Sequence, residues 1–334
     1  EAEDTCSFYF APHDGQPLPA FLPGQHLTFR IPIPGHEKPI TRCYSLSDSP
    51  THPDYYRVTV KRLTGEVDGL VSTYFHRELA VDALVDVKAP SGHFYLDLEN
   101  HGPVVLIGGG VGVTPALSML NYITATGSTR ETWFLYGVTD GLQHVQHEYL
   151  QQIATEHENV RTHICYSQPL ESDIQGTDYD HREWVTVDLL KRLLPSNNYD
   201  FFICGPAAMM DSLTHDLKAW GVPKSKIHFE AFGAATVKRV SKDVNIPAAA
   251  SVEVEFARTG NTLVWDGSAS SLLEFAEASG IPMESGCRAG NCGSCLTAVR
   301  SGSVEYLNEP GAPVEEGTCL TCIAIPKGNI VLDA

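Results

Sequence analysis

The chain has 334 residues, 43% hydrophobic and 19% charged, an ordinary globular composition long enough for two or three domains. A formal net charge of −18 argues against a polyanionic partner such as nucleic acid. No apolar run approaches the ~18 residues that a membrane span needs.

The chain opens without Met, and SFYFAP already reads as a strand. It is therefore expected to be processed or to be the tail of a longer protein, with a first barrel strand missing. Across residues 1–98, LTFRIPI, YYRVTVKRL and ALVDVKAP alternate as short strands with Pro and Gly between them. This predicts a small antiparallel β-barrel, interrupted by a helix around STYFHRELA. Residues 99–235 change character. PVVLIGGG, TWFLYGV, VRTHICYS, YDFFICGP and KIHFEAFG are buried-strand runs. Between them lie the helical patterns ALSMLNYITATG, HVQHEYLQQIATEH, WVTVDLLKRLLP and AAMMDSLTHDLKAWGV. The alternation predicts an α/β domain with a parallel sheet. Residues 236–248 read as a linker. Residues 249–334 form a small acidic domain, with eleven Asp and Glu against four Lys and Arg. It contains a hairpin (SVEVEFARTG, NTLVWDG), a helix (SSLLEFAEASG) and a cysteine loop.

Nine cysteines make an odd total, a poor basis for a disulfide framework. Cys6, Cys43, Cys165 and Cys204 are scattered and read as reduced thiols, which points to a cytoplasmic compartment. The others are crowded: Cys287-x4-Cys292-x2-Cys295, then 26 residues, then Cys322. That is the spacing of plant-type two-iron clusters. Glycines 286, 290 and 293 would let the loop wrap closely. Zinc favours C-x2-C pairs and could use Cys292/Cys295 and Cys319/Cys322, leaving Cys287 unused. ESGCRAGNCGSCLTAVRSG and GTCLTCIAIP, behind a hairpin and a helix, resemble the plant-type ferredoxin domain. That resemblance implies a β-grasp α+β fold and a [2Fe-2S] cluster held by Cys287, Cys292, Cys295 and Cys322, with Cys319 outside the ligand set.

GGGVGVTP joins a strand to a helix, where a glycine turn brings a pyrophosphate to the helix start. It reads G-x-G-x-x-P and so departs from the usual dinucleotide fingerprint. Thr114 is expected as the helix N-cap and Pro115 as its first residue. RCYSLS, GLVSTYFH, APSGHF, IGGGVGVTP, CGP and HFEAFG, in this order, are similar to the ferredoxin–NADP reductase superfamily of flavoproteins. The resemblance implies that Arg42 pairs with a flavin phosphate and that Cys43, Tyr44 and Ser45 line the flavin, with Ser45 near N5. It further implies a phosphate site at Gly69, Leu70, Val71, Ser72 and Thr73. Gly110, Gly112, Thr114, Pro115, Cys204, Gly205 and Pro206 would line the nicotinamide nucleotide. Glu230 and Phe232 would return toward the flavin; Ser45, Cys204, Glu230 and Phe232 are the candidate catalytic set.

TDGLQH and QPLESD carry no Lys or Arg for a 2′-phosphate, which favours NADH over NADPH. Asp140 and Gln168 are candidate adenosine contacts. The flavin is expected to be FAD, with FMN the alternative. NADH gives two electrons as hydride and a two-iron cluster takes one at a time, so the flavin stands between them. The expected partner is a redox acceptor, either an oxygenase component or a fused N-terminal domain. The alternatives are a flavin or ferric reductase and a zinc-containing interaction module.

Overall fold

The computed structural model describes residues 1–36, 39–65, 68–232 and 252–334. These fall into two units, Glu1–Glu230 and Ala231–Ala334, each taken by itself below. The expected linker, 236–248, lies outside the described residues.

The first unit begins with strands β1 (Thr5–Phe10), β2 (His26–Ile31), β3 (Ile40–Ser45) and β4 (Tyr56–Lys61). Helix α1 (Leu70–Arg77) and strand β5 (Asp86–Ser91) follow. The expected barrel is built as two antiparallel sheets, β1–β4 and β3–β2–β5, joined by a bridge between Leu46 and Val58. Alternation turns Leu27, Phe29, Ile31, Val58 and Val60 inward, where they meet Val71 and Phe75 of α1. Phe75 stands edge-on to Phe8 and Phe29, at ring separations of 5.1 and 5.4 Å. This apolar contact, more than helix propensity, holds an eight-residue helix in place.

The chain then alternates through β6 (Val104–Gly109), α2 (Val113–Ala125), β7 (Thr132–Val138), α3 (His147–Glu156) and β8 (Val160–Tyr166). It continues with α4 (Val187–Leu193), β9 (Asp200–Cys204), α5 (Ala207–Ala219) and β10 (Ile227–Glu230). The five strands are all parallel, in the order β10–β9–β6–β7–β8. From β6 the chain builds outward to β8, then returns to lay β9 on the other side of β6. The reversal opens a crevice beyond the carboxyl ends of β6 and β9, where such sheets bind ligands. Barrel and sheet are tied by polar contacts from α2. Ser118 Oγ donates to Asp48 O (2.7 Å) and Asn121 Nδ2 to Asp48 Oδ1 (2.9 Å).

The second unit contains β11 (Val252–Phe256), β12 (Asn261–Trp265), α6 (Leu272–Ala278), β13 (Leu296–Ser301) and β14 (Val304–Tyr306). It ends with β15 (Thr318–Leu320), β16 (Ala324–Pro326) and β17 (Ile330–Leu332). Its main sheet runs β12–β11–β17–β13–β15, with β11 and β17 parallel and the other pairs antiparallel. Ser271 caps α6: its Oγ accepts from Glu274 N, and the Glu274 carboxylate reaches back to accept from Ser270 N, one residue before the cap. Leu272, Phe275 and Ala276 then pack on Val254, Phe256 and Leu332. Among the described residues no helix is long and apolar enough to cross a membrane.

Candidate functional site

At the carboxyl edge of the parallel sheet, two glycine-containing turns lie against each other. A Cβ on Gly112 would come within 2.6 Å of the carbonyl carbon of Cys204 and 2.7 Å of Gly205 Cα. A Cβ on Gly205 would meet Gly109 Cα at 3.0 Å. The GGGVG and CGP motifs are thus two halves of one backbone packing. Gly110 adopts φ +53, where a Cβ would be strained although nothing crowds it. The expectation for Thr114 and Pro115 is corrected here. A 3₁₀ turn over Gly110–Gly112 feeds straight into α2, so Gly112 is the N-cap and Thr114 is the second helical residue. Its hydroxyl donates to Val111 O (3.1 Å). Pro115 sits third, still inside the first turn, whose N–H groups have no intrahelical partner to lose.

The same edge carries a buried polar junction. Cys204 and Glu230 are register partners on β9 and β10, and Glu230 Oε2 accepts from Ser45 Oγ of β3 at 3.1 Å. His26 Nδ1 lies 3.7 Å from Glu230 Oε1. Burial, with the Glu230 charge second, pushes the Cys204 thiol well above its ordinary range, so it remains a thiol. The structure therefore brings Ser45, Cys204 and Glu230 together. It adds His26, which sequence reasoning missed. Gly92 of the APSGHF motif, at φ +119, makes the room: a Cβ there would lie 2.8 Å from His26 Nδ1. Phe232 is half-buried, two residues beyond Glu230.

On the barrel side, Tyr44 packs its ring 5.2 Å from Phe75, and burial pushes its phenol up. Cys43 Sγ lies 3.4 Å from Thr28 Oγ1, and Arg42 Nη1 donates to Thr41 O (2.7 Å). At the start of α1, Ser72 Oγ donates to Gly69 O (3.1 Å) and accepts from Leu63 N (3.2 Å), so its side chain is engaged locally. Thr73 Oγ1 is buried with no hydrogen-bond partner. An orphaned hydroxyl in the first turn of a helix fits a missing phosphate oxygen. Leu70 is exposed and Val71 belongs to the barrel core.

Farther along the edge, Gln168 N donates to Thr139 O (2.8 Å), so the loops after β7 and β8 meet. Asp140 caps the following turn by accepting from Leu142 N (3.1 Å). Ser167 Oγ between them is buried and unpartnered. It is a second buried hydroxyl without a partner, one that sequence reasoning passed over for its neighbour Gln168.

In the second unit the four cluster cysteines sort two and two. Cys295 and Cys322 bring their sulfurs to 3.1 Å, while Cys287 Sγ accepts from the backbone N–H groups of Ala289, Asn291 and Cys292 at 3.3–3.4 Å. Cys287 N in turn donates to Cys292 Sγ (3.3 Å). Among the described residues no three His, Cys, Asp or Glu side chains converge as ligands of one ion. A two-iron cluster asks for two sulfurs on each iron and N–H groups aimed at sulfur, and this loop offers both. All nine cysteines are free of disulfides. Hydrogen bonding to its partner thiol, then burial, drives each of Cys287 and Cys322 far up in pKa. Cys319 points into the apolar core instead, its thiol pushed up to about 12 by burial.

Three family models match the chain in succession. They are an oxidoreductase FAD-binding domain over residues 2–95, an oxidoreductase NAD-binding domain over 106–215 and a 2Fe-2S iron-sulfur cluster binding domain over 254–327. A flavohemoprotein of Halalkalibacterium halodurans is 38% identical over 238 residues, covering 70% of this chain and 58% of the relative. The chain thus spans about three-fifths of the length of the curated relatives it matches. The FAD/NAD-binding domain of a nitric oxide dioxygenase from Vibrio cholerae O1 biovar El Tor is similar at 31% identity and a TM-score of 0.61. That match covers 70% of this chain and 94% of the other. A phthalate dioxygenase reductase, described as a modular structure for electron transfer from pyridine nucleotides to [2Fe-2S], matches over the whole of this chain and 94% of its own. Its identity is 25% and its TM-score 0.61.

Proposed function

The chain belongs to the ferredoxin–NADP reductase superfamily, as an FAD- and NAD-binding oxidoreductase fused to a 2Fe-2S ferredoxin-type domain, and from that premise we propose an NADH-dependent reductase feeding a protein acceptor. When bound, NADH supplies hydride, FAD parts the electron pair and the cluster carries single electrons. Each residue would have its own task. Arg42 would offer a fork of donors to the flavin phosphate, and Thr73 Oγ1 and the first turn of α1 would hold it as well. Tyr44 would pack against the ring system. Ser45 Oγ and Glu230 Oε2 hold a proton between them at the point where the flavin ring would meet the nicotinamide, and Cys204 excludes water there as a neutral thiol. Gly112 and Gly205 would let the backbone close on the nucleotide, and Ser167 and Gln168 would serve its adenosine side. Cys287, Cys292, Cys295 and Cys322 hold the iron.

The observation that carries this reading is the two-and-two sorting of the cysteine sulfurs under backbone N–H donors, in one chain with the Ser45–Glu230–Cys204 junction. The acceptor is an oxygenase component, or a domain fused N-terminal to this segment, in the cytoplasm. Domain limits of 1–98, 99–235 and 249–334 accompany the proposal. Anaerobic titration with NADH, followed by low-temperature EPR and metal analysis, tests it. Flavin bleaching with a rising signal from a reduced two-iron cluster is expected. Zinc in place of iron, or bleaching with no cluster signal, would refute it.

A further inference from the structure

The opposite edge of the parallel sheet, where the strands begin, carries a feature the redox function does not use. Arg130 stands two residues before β7 and is only 7% exposed. Its backbone is pinned: the carbonyl accepts from Asn159 Nδ2 (2.8 Å) and from Thr132 Oγ1 (3.1 Å). Its guanidinium, among the described residues, has no ion pair within 4.0 Å and no hydrogen-bond acceptor. Asp200 and Asp97 act on it only at longer range, and burial outweighs them in pulling its pKa below the ordinary value. None of its nitrogens is among the buried polar atoms without a partner, so the head group keeps access to solvent. Arg130 lines a cavity of about 420 Å³ together with Leu96, Leu98, Ile123, Ser128 and Thr129. The volume suits a small organic molecule. Strands of about six residues separate this cavity from the nucleotide crevice by roughly 20 Å.

We propose that Arg130 and this cavity form a binding site for a small monoanionic organic carboxylate. The guanidinium fork matches a carboxylate in two parallel hydrogen bonds, the Ser128 and Thr129 hydroxyls supply further donors, and the leucine wall takes the hydrocarbon. Asp97 and Asp200 nearby select against a second negative charge, which disfavours phosphate dianion and dicarboxylates.

Calorimetric titration of the holoprotein with benzoate, benzamide and inorganic phosphate tests the assignment. Benzoate should bind once per chain, with the neutral amide and phosphate at least tenfold weaker. Arg130→Gln should weaken benzoate at least tenfold, or ~1.4 kcal/mol. Thr129→Trp, at the exposed rim, should block binding by plugging the mouth. Absence of benzoate binding, equal binding of benzamide, or undiminished binding in Arg130→Gln would each overturn the proposal. So would phosphate binding as tightly as benzoate.

Discussion

Replacing Gly112 by Ala is the sharpest probe of the nucleotide crevice. The added methyl would lie 2.6 Å from Cys204 C and 2.7 Å from Gly205 Cα, with the Cys204 carbonyl oxygen closer still. All three are backbone atoms, so no side chain can swing aside. Carbon–carbon contacts are comfortable at 3.5–4.0 Å, so the two turns must part by roughly 1 Å. Overpacking of this kind costs about 1–3 kcal/mol in stability. The functional cost should be larger, because a ~1 Å misplacement of bound groups can slow a reaction by about 10²-fold. The assay is stopped-flow reduction of the bound flavin by NADH, with dithionite reduction of the cluster as the internal control. The expected result is hydride transfer slowed about a hundredfold, with the cluster's signal unchanged. Gly110→Ala is the matched comparison. It meets nothing within 4 Å and suffers only its φ of +53, so about 1–2 kcal/mol of strain and a much smaller kinetic effect are expected. Wild-type flavin reduction in Gly112→Ala, or equal defects in the two variants, would refute the packing argument.

Thr73→Val should move two observables in opposite directions. The flavin-free protein should be as stable as the parent or more so, since a buried hydroxyl without a partner is removed, while flavin dissociation should become about tenfold easier. Equal flavin affinity would deny Thr73 a phosphate contact. Cys322→Ser should lose iron and the visible spectrum of the cluster, whereas Cys319→Ser should retain both and lose only thermal stability. Iron and sulfide analysis of the two variants decides it. His144 is buried and pushed down to about 3 by burial, then by the proximity of His147. The unfolded chain takes up a proton below about 6.5 while the folded one does not, so stability is full above that pH and falls as pH drops toward 3. The loss is about 1.4 kcal/mol per pH unit from this residue alone. Denaturant midpoints between pH 6.5 and 4.5 should therefore fall less steeply in His144→Gln. Parallel slopes for variant and parent would contradict the assignment.

The glycine turns and the cysteine spacing could be read directly from the chain because each is a local constraint. Cys287, Cys292 and Cys295 must wrap one small object, so their intervals are nearly fixed. Gly110 and Gly112 sit where the chain leaves a strand and enters a helix within a few residues. Strand and helix periods were equally local, and so the alternation from β6 to β10 was legible before the structure. The Thr114 expectation erred for a related reason. A capping side chain is a strong signal, but a 3₁₀ turn directly before α2 supplied the helix start, and the hydroxyl turned back to Val111 O instead. What stayed hidden depends on contacts between distant segments. Ser45 and Glu230 are 185 positions apart, and His26 fits only because Gly92 lacks a side chain. In a strand reading HLTFRI, nothing marks His26 as different from Thr28 or Arg30 on the face opposite Leu27, Phe29 and Ile31. The orphaned hydroxyls of Thr73 and Ser167 were harder still, since a Thr in a helix or a Ser after a strand is unremarkable until its burial and its missing partner are both known. Local pattern thus identifies what must bend or wrap, and tertiary burial identifies which polar atoms are left waiting. Under the proposed function the second set, Thr73 and Ser167, would meet the flavin phosphate and the adenosine side, which is why ligand-free stability and ligand affinity should separate in the variants above.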